Sequence, residues 1–445
     1  MNQINRFTIN EMNNMKEKLL MLGTSYGSCE MIRYAKSQGV YTIVTDPQPY
    51  EKSKAKQIAD EYWMYNTTDI DTLEKKCREE NVTAVICGIS ELNLEMVMEL
   101  CSRLGLTSYC TPEAWHFSHD KADFKKLCAA IGVPIPEDYP VSADLTDEEI
   151  DKVKFPVMVK PVDLNANRGI SYCYNKEDLK KAYKLALSMS QSPKIIVERM
   201  LHGEEWWAGY ALAEGKISLI SLNAMYAEPG YPKNCYTITT TISNHIEQFI
   251  SKLNPKIEEL LEKVGCREGY AWVQLMRDED GEFYVIEMGY RLTGEQIFMQ
   301  FPYLCGYDTI KQLVDISRGI KFSADQLPSP QQHAYKKSIT AYSLWAKKNA
   351  VISKMEGIDK MAEIPGVFVE TLAETGDEVG QYRQMGYIVF GSETIQDACK
   401  MIQLINDTVH VYDEDGEDLS IKYTDFDYLT KMYNEGLNGI GVNPL

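Results

Sequence analysis

The sequence predicts an α/β fold at its start that gives way to α+β architecture, and three observations carry that expectation. Short apolar strands alternate with helical stripes over about residues 18–115, strands with hairpin turns dominate from Glu204 to about Met288, and a mixed strand–helix tail follows Ser329–Gln332. At 445 residues the chain has room for two to four domains of roughly 100–200 residues each.

The alternation starts after a polar leader, residues 1–17. KLLMLG (Lys18–Gly23) reads as a buried strand ending in a glycine turn, Ser28–Gly39 has helical spacing, and VYTIVTD (Val40–Asp46) is again a strand. Asp71–Asn81 is helical, TAVICGI (Thr83–Ile89) is a strand and Leu92–Gly105 is a helix, so residues 18–115 read as a parallel sheet covered on both faces. Phe124, Leu127, Cys128 and Ile131 form the apolar stripe of the next helix. FPVMVKP (Phe155–Pro161) is a strand, a helix follows Asn175, and KIIVERM (Lys194–Met200) is a strand. In the tail, Tyr387–Ser392 and Thr408–Asp413 read as strands around a helix at Thr394–Asn406.

With 44% hydrophobic and 25% charged residues, the chain can bury a large core. A net charge of −19 argues against binding a nucleic-acid backbone or an anionic membrane surface, yet leaves room for a nucleotide held by a few placed cations. Eleven cysteines without a Cys-x-x-Cys pair suit a reducing compartment. The polar, partly acidic start lacks a signal-peptide layout, and no apolar run approaches ~20 residues, so the expectation is a cytoplasmic protein.

The densest chemical signal is WVQLMRDEDGEFYVIEMGYRLTGEQ (Trp272–Gln296). Asp280-Gly281 between alternating apolar runs predicts a two-residue hairpin loop with Glu279 facing Glu282, so that paired residue numbers sum to 561. Gln274 then lies opposite Glu287, and Glu287, Gly289 and Arg291 share a face. Oxygen ligands of this kind suit Mg²⁺, and arginine suits a phosphoryl group in transit. A plain surface hairpin would carry the same pattern. Lys160 ends a strand pinned by Pro161, ahead of a small polar loop closing with Arg168-Gly169, which could wrap a phosphate. In IIVERMLHGEEWW (Ile195–Trp207) a strand brings Glu198 to a short link and then Glu204-Glu205, an arrangement that can cradle an adenine.

Taken in order, these segments resemble the ATP-grasp superfamily, in particular the branch shared by carbamoyl phosphate synthetase large subunits and amino-acid ligases. The similarity covers roughly residues 18–320 and rests on SHDKADFKKLCAAIGVPIPE, FPVMVKP, VERMLHGEEW and VQLMRDEDGEFYVIEMGYRLTG. It implies a Rossmann-like pre-ATP-grasp domain at residues 18–115 and an ATP-grasp domain of two α+β subdomains at 116–328, with a mobile lid at about 155–199. A small C-terminal α+β domain at 329–445 completes the expected layout. The resemblance further implies Lys121 and Lys160 on the ATP phosphates, with Arg168 and Gly169 folding over them. Glu198 and the backbone near Leu201 would hold adenine, Glu205 the ribose, and Gln274 and Glu287 Mg²⁺, for which Mn²⁺ could substitute. Arg291, with Lys160 and Arg168, would act on the acyl-phosphate transition state.

Two departures stand out. Gly289 occupies the place of a metal-ligating Asn, for which Glu295 or water could compensate, and Asn165-Ala166-Asn167 stands where small residues are common. The expected activity is ATP-dependent carboxylate–amine ligation through an acyl phosphate, on small-molecule substrates such as amino acids. Carbamoyl-phosphate-synthetase-like chemistry, which Gln274 slightly favours, and non-catalytic ATP binding are the rivals. Whether the tail closes the substrate pocket or forms a homodimer face is open. Neither G-x-G-x-x-G nor a P-loop is present. His116 and His119 read as packing residues without an acidic partner, Trp206-Trp207 as core, and His245 as a weak substrate-pocket candidate.

Overall fold

The first strand, KLLML, has no polar face, and the reason is visible in its surroundings. In the computed structural model, which describes residues 17–25, 27–162, 169–190, 194–241, 245–329 and 337–438, Leu20 and Leu22 join one hydrophobic core while Leu19 and Met21 join another. Alternate side chains of a strand leave opposite faces, so a strand covered on both sides must be apolar throughout. Strands β1 (Lys18–Leu22), β2 (Tyr41–Thr45), β3 (Glu61–Trp63) and β4 (Ala84–Cys87) form a parallel sheet in the order β3-β2-β1-β4. The order reverses direction between β1 and β4, where the carboxyl ends of such sheets open a crevice. The helix Glu91–Leu104 starts just beyond β4, its first turn capped by the Ser90 hydroxyl, which accepts from the Asn93 N–H at 3.2 Å.

A second, three-stranded antiparallel sheet has the order β6-β5-β7, from β5 (Val157–Pro161), β6 (Ser171–Cys173) and β7 (Ile195–Arg199). The helix Lys176–Met189 packs on it through Leu179, Ala182, Tyr183 and Ala186. Arg168 and Asn165–Asn167, from the expected phosphate loop, lie outside the described residues.

The largest sheet contains β8 (Gly203–Ala213), β9 (Lys216–Ala227), β10 (Tyr236–Thr241), β11 (Gly269–Asp278), β12 (Phe283–Gly289) and β13 (Ser338–Trp345). After two short strands, β14 (Ala350–Val351) and β15 (Lys354–Glu356), come β16 (Phe368–Thr371), β17 (Glu378–Val379), β18 (Gln384–Ser392) and β19 (His410–Tyr412). The order of the large sheet is β12-β11-β8-β9-β10-β13-β18-β16, antiparallel throughout, so strands from beyond residue 329 extend the sheet begun at residue 203. β14 pairs β17 and β15 pairs β19 in two small ribbons. One face of the large sheet carries Trp206, Ala208, Tyr210 and Leu212 into the main core, and the other carries Trp207, Met225 and Trp272.

The hairpin joining β11 and β12 corrects the expected turn. Asp278 N–H donates to Glu282 O at 3.0 Å and Gly281 N–H to Asp278 O at 2.9 Å, so the loop is the three residues Glu279–Gly281. Gly281 takes φ +80°, the left-handed position such a loop requires. The pairing near the turn therefore runs Leu275–Val285, one residue out of the expected register. A bulge at Ile286 restores it, and Gln274 does face Glu287. Two irregularities cancel.

All eleven cysteines are free thiols. No helix among the described residues is long and apolar enough to cross a membrane.

Candidate active site

A cleft of about 1650 Å³ is floored by the Trp207–Met225–Trp272 face of the large sheet and roofed by the three-stranded sheet. It gathers Lys121, Lys160, Leu201, Glu205, Gln274, Glu287, Arg291 and Glu295 from segments spread over 175 positions of the sequence. Gly269–Asp278 and Phe283–Gly289 bring Gln274 and Glu287 directly opposite each other on the cleft side. The bulge has a further effect: Ile286 and Glu287 both turn to the cleft, one adding apolar surface beside Met276 and Leu201, the other a carboxylate.

Lys160 reaches the cleft from β5 and is nearly buried, its Nζ 2.5 Å from Glu198 Oε1. Glu198, fully buried on β7, is also paired with Lys125, which in turn pairs with Asp138. Burial opposes ionisation of Glu198, but Lys160 and Lys125 beside it outweigh that and hold its carboxyl below the usual range. Glu198, expected at the adenine, thus has its carboxylate engaged by two lysines, and one of them, Lys160, it holds in the cleft. The link Met200-Leu201-His202 lines the cleft, together with Met158, Met276 and Ile286. The link is anchored to the hairpin, since Asp278 accepts from His202 N–H at 2.7 Å and pairs with Arg199.

Glu205 is engaged as well. Its carboxylate, expected at the ribose, accepts hydrogen bonds from Tyr236 Oη and Gln274 Nε2. Burial pushes its carboxyl up; those two bonds oppose the rise, and the nearby charges of Glu287 and Glu295 add to it. Burial likewise raises Glu295. Because Gln274 donates its amide nitrogen to Glu205, its amide oxygen is the atom left for the Glu287 side. Gln274 oxygen and the Glu287 carboxylate, with Glu295 close, make an oxygen-rich, acid-rich donor set of the type that fits Mg²⁺. Lys121, first residue of the helix capped by Asp120, lies 3.7 Å from Glu287 Oε2.

Arg291 follows the hairpin. Its Nε and Nη2 donate to Glu91 Oε1 at 3.1 and 2.8 Å, and its guanidinium lies 5.3 Å from the centre of the Trp272 ring. Gly289 pairs with Trp272, and a Cβ at 289 would meet that indole at 2.3 Å. The space an Asn would need is thus filled by tryptophan.

The model for the carbamoyl-phosphate synthase L chain, ATP binding domain, matches residues 120–325. This span contains every cleft lysine, the Gln274–Glu287 row and Arg291. Residues 120–325 are an ATP-grasp domain. It is similar to a formate-dependent phosphoribosylglycinamide formyltransferase of Sulfurisphaera tokodaii, 21% identical over 395 residues, which cover 86% of this chain and 94% of that one. It is also similar to the N-terminal section of the carbamoyl phosphate synthase large chain of Aquifex aeolicus, 23% identical over 280 residues, 60% of this chain and 50% of that one. Among solved structures, the L-amino acid ligase of Bacillus licheniformis shares the fold with a TM-score of 0.70 at 15% identity, covering 89% of this chain and 98% of that one.

In this ATP-grasp cleft, sequence reasoning missed Glu91, Lys125, Tyr236 and Trp272. The Trp272–Gly289 pairing was available from the same sum of 561 that paired Gln274 with Glu287. His116 does have acidic neighbours, correcting the expectation: its Nε2 is 2.9 Å from Asp123, and Asp120 is close. Those acids are occupied, Asp120 capping its helix and Asp123 pairing with Lys126. His119 stacks on Trp115. Trp206 and Trp207 are buried, and His245, ahead of the short helix Ile246–Gln248, is not among the cleft-lining residues. The tail contributes Ser343, Trp345, Arg383, Gln384 and Tyr387 to the cleft.

Proposed function

We propose that the chain is an ATP-dependent carboxylate–amine ligase that forms an amide or peptide bond through an acyl phosphate, releasing ADP and phosphate. The observation that carries this reading is the convergence of Gln274, Glu287 and Arg291 with Lys121 and Lys160 in one cleft. A substrate carboxylate oxygen bonds to the γ-phosphorus as the bond to the β–γ bridging oxygen breaks, and ADP leaves with that electron pair. An amine nitrogen then bonds to the acyl carbon, phosphate departs, and the amine gives up a proton. The first step is governed by position and charge, so two lysines and an arginine around the phosphates are the groups it needs. Lys160 is held by Glu198, Arg291 by Glu91, and Gln274 by Glu205. Mg²⁺, held by Gln274 and Glu287, would offset phosphate charge, with Mn²⁺ as a substitute. The three-stranded sheet covers the nucleotide and excludes the water that would hydrolyse an acyl phosphate. We also read the protein as cytoplasmic, in keeping with its free thiols.

Supporting an acid larger than formate or bicarbonate, the cleft continues past the Glu205 row over Tyr236, Trp345 and Tyr387. Amino acids are therefore the substrates we favour. ADP release with Mg-ATP over a matrix of amino acids, short peptides, formate and bicarbonate with ammonia tests the reading. One ADP and one phosphate per amide with a particular acid–amine pair is the expected result. ADP with bicarbonate and ammonia alone would favour carbamoyl phosphate chemistry, and ATP binding without turnover on any pair would favour a binding role.

A further inference from the structure

The hairpin carries a pair that none of the established parts of the cleft uses. Trp272 on β11 faces Gly289 on β12, and its indole covers the glycine so closely that Cε2 and Cζ2 would lie 2.3 Å, and Nε1 2.5 Å, from a Cβ at 289. The indole's nitrogen edge therefore sits where a side chain at 289 would begin, on the face that also carries Gln274 and Glu287. That nitrogen is buried and has no hydrogen-bond partner among the described residues. A buried donor without an acceptor is unfavourable, and indole nitrogen can only donate. It cannot replace a ligand to a cation. It can serve an anionic oxygen. The ring face, meanwhile, lies beneath the Arg291 guanidinium, 5.3 Å from its central carbon.

We propose that Trp272 recognises the phosphoryl group in transit, donating its indole N–H to a phosphoryl oxygen and setting the position of Arg291 with its ring face. With Gly289 the chain thus presents an N–H donor where the side chain of a residue at 289 would begin. The ligand class is a nucleotide phosphoryl or acyl-phosphate oxygen, and the proposal rests on the ligase reading given above.

The test needs no knowledge of the substrates. Mg-ADP, with and without aluminium fluoride as a mimic of the phosphoryl group in transfer, is titrated into the full chain by calorimetry. The unaltered protein is expected to bind Mg-ADP more tightly when the mimic is present. Trp272→Ala should lose about tenfold or more of that gain, while its affinity for Mg-ADP alone changes by no more than about threefold. Trp272→Phe keeps a ring face without the donor and should retain part of the gain. A structural role alone would instead weaken both ligands equally. Full retention of the gain in Trp272→Ala and Trp272→Phe, or an equal loss for both ligands, would overturn the proposal and leave the ligase reading intact. No binding of Mg-ADP by the unaltered chain would sink that reading, and the proposal with it.

Discussion

Arg291 and Glu91, two hundred residues apart, meet through two hydrogen bonds to one carboxylate oxygen, at 3.1 and 2.8 Å. Glu91 begins the helix that follows β4 of the parallel sheet, and Arg291 follows β12 of the large antiparallel sheet. The contact fixes a cation of the cleft against the crevice end of the N-terminal sheet. Arg291→Ala should lower turnover about 10³-fold or more, by analogy with transition-state arginines. Glu91→Gln, which leaves Arg291 charged but less firmly aimed, should cost on the order of tenfold in kcat with little change in KM for ATP. Steady-state kinetics on both variants and the double variant check this, and the double should be no worse than Arg291→Ala alone.

An Asn at position 289 meets a steric obstacle. The new Cβ would meet the Trp272 indole, and overpacking of this kind costs about 1–3 kcal/mol. Gly289→Asn should therefore lower the thermal midpoint, and adding Trp272→Ala should recover much of the loss. Differential scanning fluorimetry of the three variants decides it. If Gly289→Asn is as stable as the unaltered chain, the indole is not the obstacle the geometry makes it.

Glu198 links acid sensitivity to the nucleotide site. Its folded carboxyl titrates below the usual range, so its contribution is present above the ordinary glutamate value and is lost as pH falls through the depressed one. Glu198→Gln removes one partner of a buried charge group and should cost about 3–5 kcal/mol, with a flatter decline of stability on acidification. Urea unfolding at neutral and acidic pH measures both effects.

The opposite sign holds at Glu205, whose carboxyl is pushed up by burial despite its two hydrogen bonds, with Glu287 and Glu295 adding to the rise. Its ionisation destabilises the ligand-free cleft as pH rises through the raised value, and a bound cation relieves that cost. Mg-ADP affinity should accordingly increase with pH above the ordinary glutamate range, with protons released on binding. Calorimetry in two buffers of different ionisation enthalpy reads the proton count, and Glu205→Gln should reduce it.

The parallel sheet and the position of the hairpin that carries Gln274 and Glu287 were legible because periodicity and the Asp-Gly turn are local signals. Gln274 opposite Glu287 was reached through a turn one residue too short, and the bulge at Ile286 that rescued the register leaves no mark in the apolar pattern. Partnerships across the fold were not legible. Nothing in the helix Lys121–Ile131 separates Lys125, buried against Glu198, from its exposed neighbour Lys126, because the difference lies in what packs above them. Glu91 could not be joined to Arg291 for the same reason: a contact of such separation depends on sheet order, which spacing does not encode.

The sheet that floors the cleft has a consequence for any attempt to divide the chain after residue 329. β10 pairs on one side with β9 and on the other with β13, so cleavage and separation there would bare the row Ile238–Thr240 on one piece and Thr340–Tyr342 on the other. Both rows are buried, and an unpaired strand edge is a template for foreign strands. The two fragments should aggregate when made alone and recover a soluble, nucleotide-binding particle only when refolded together.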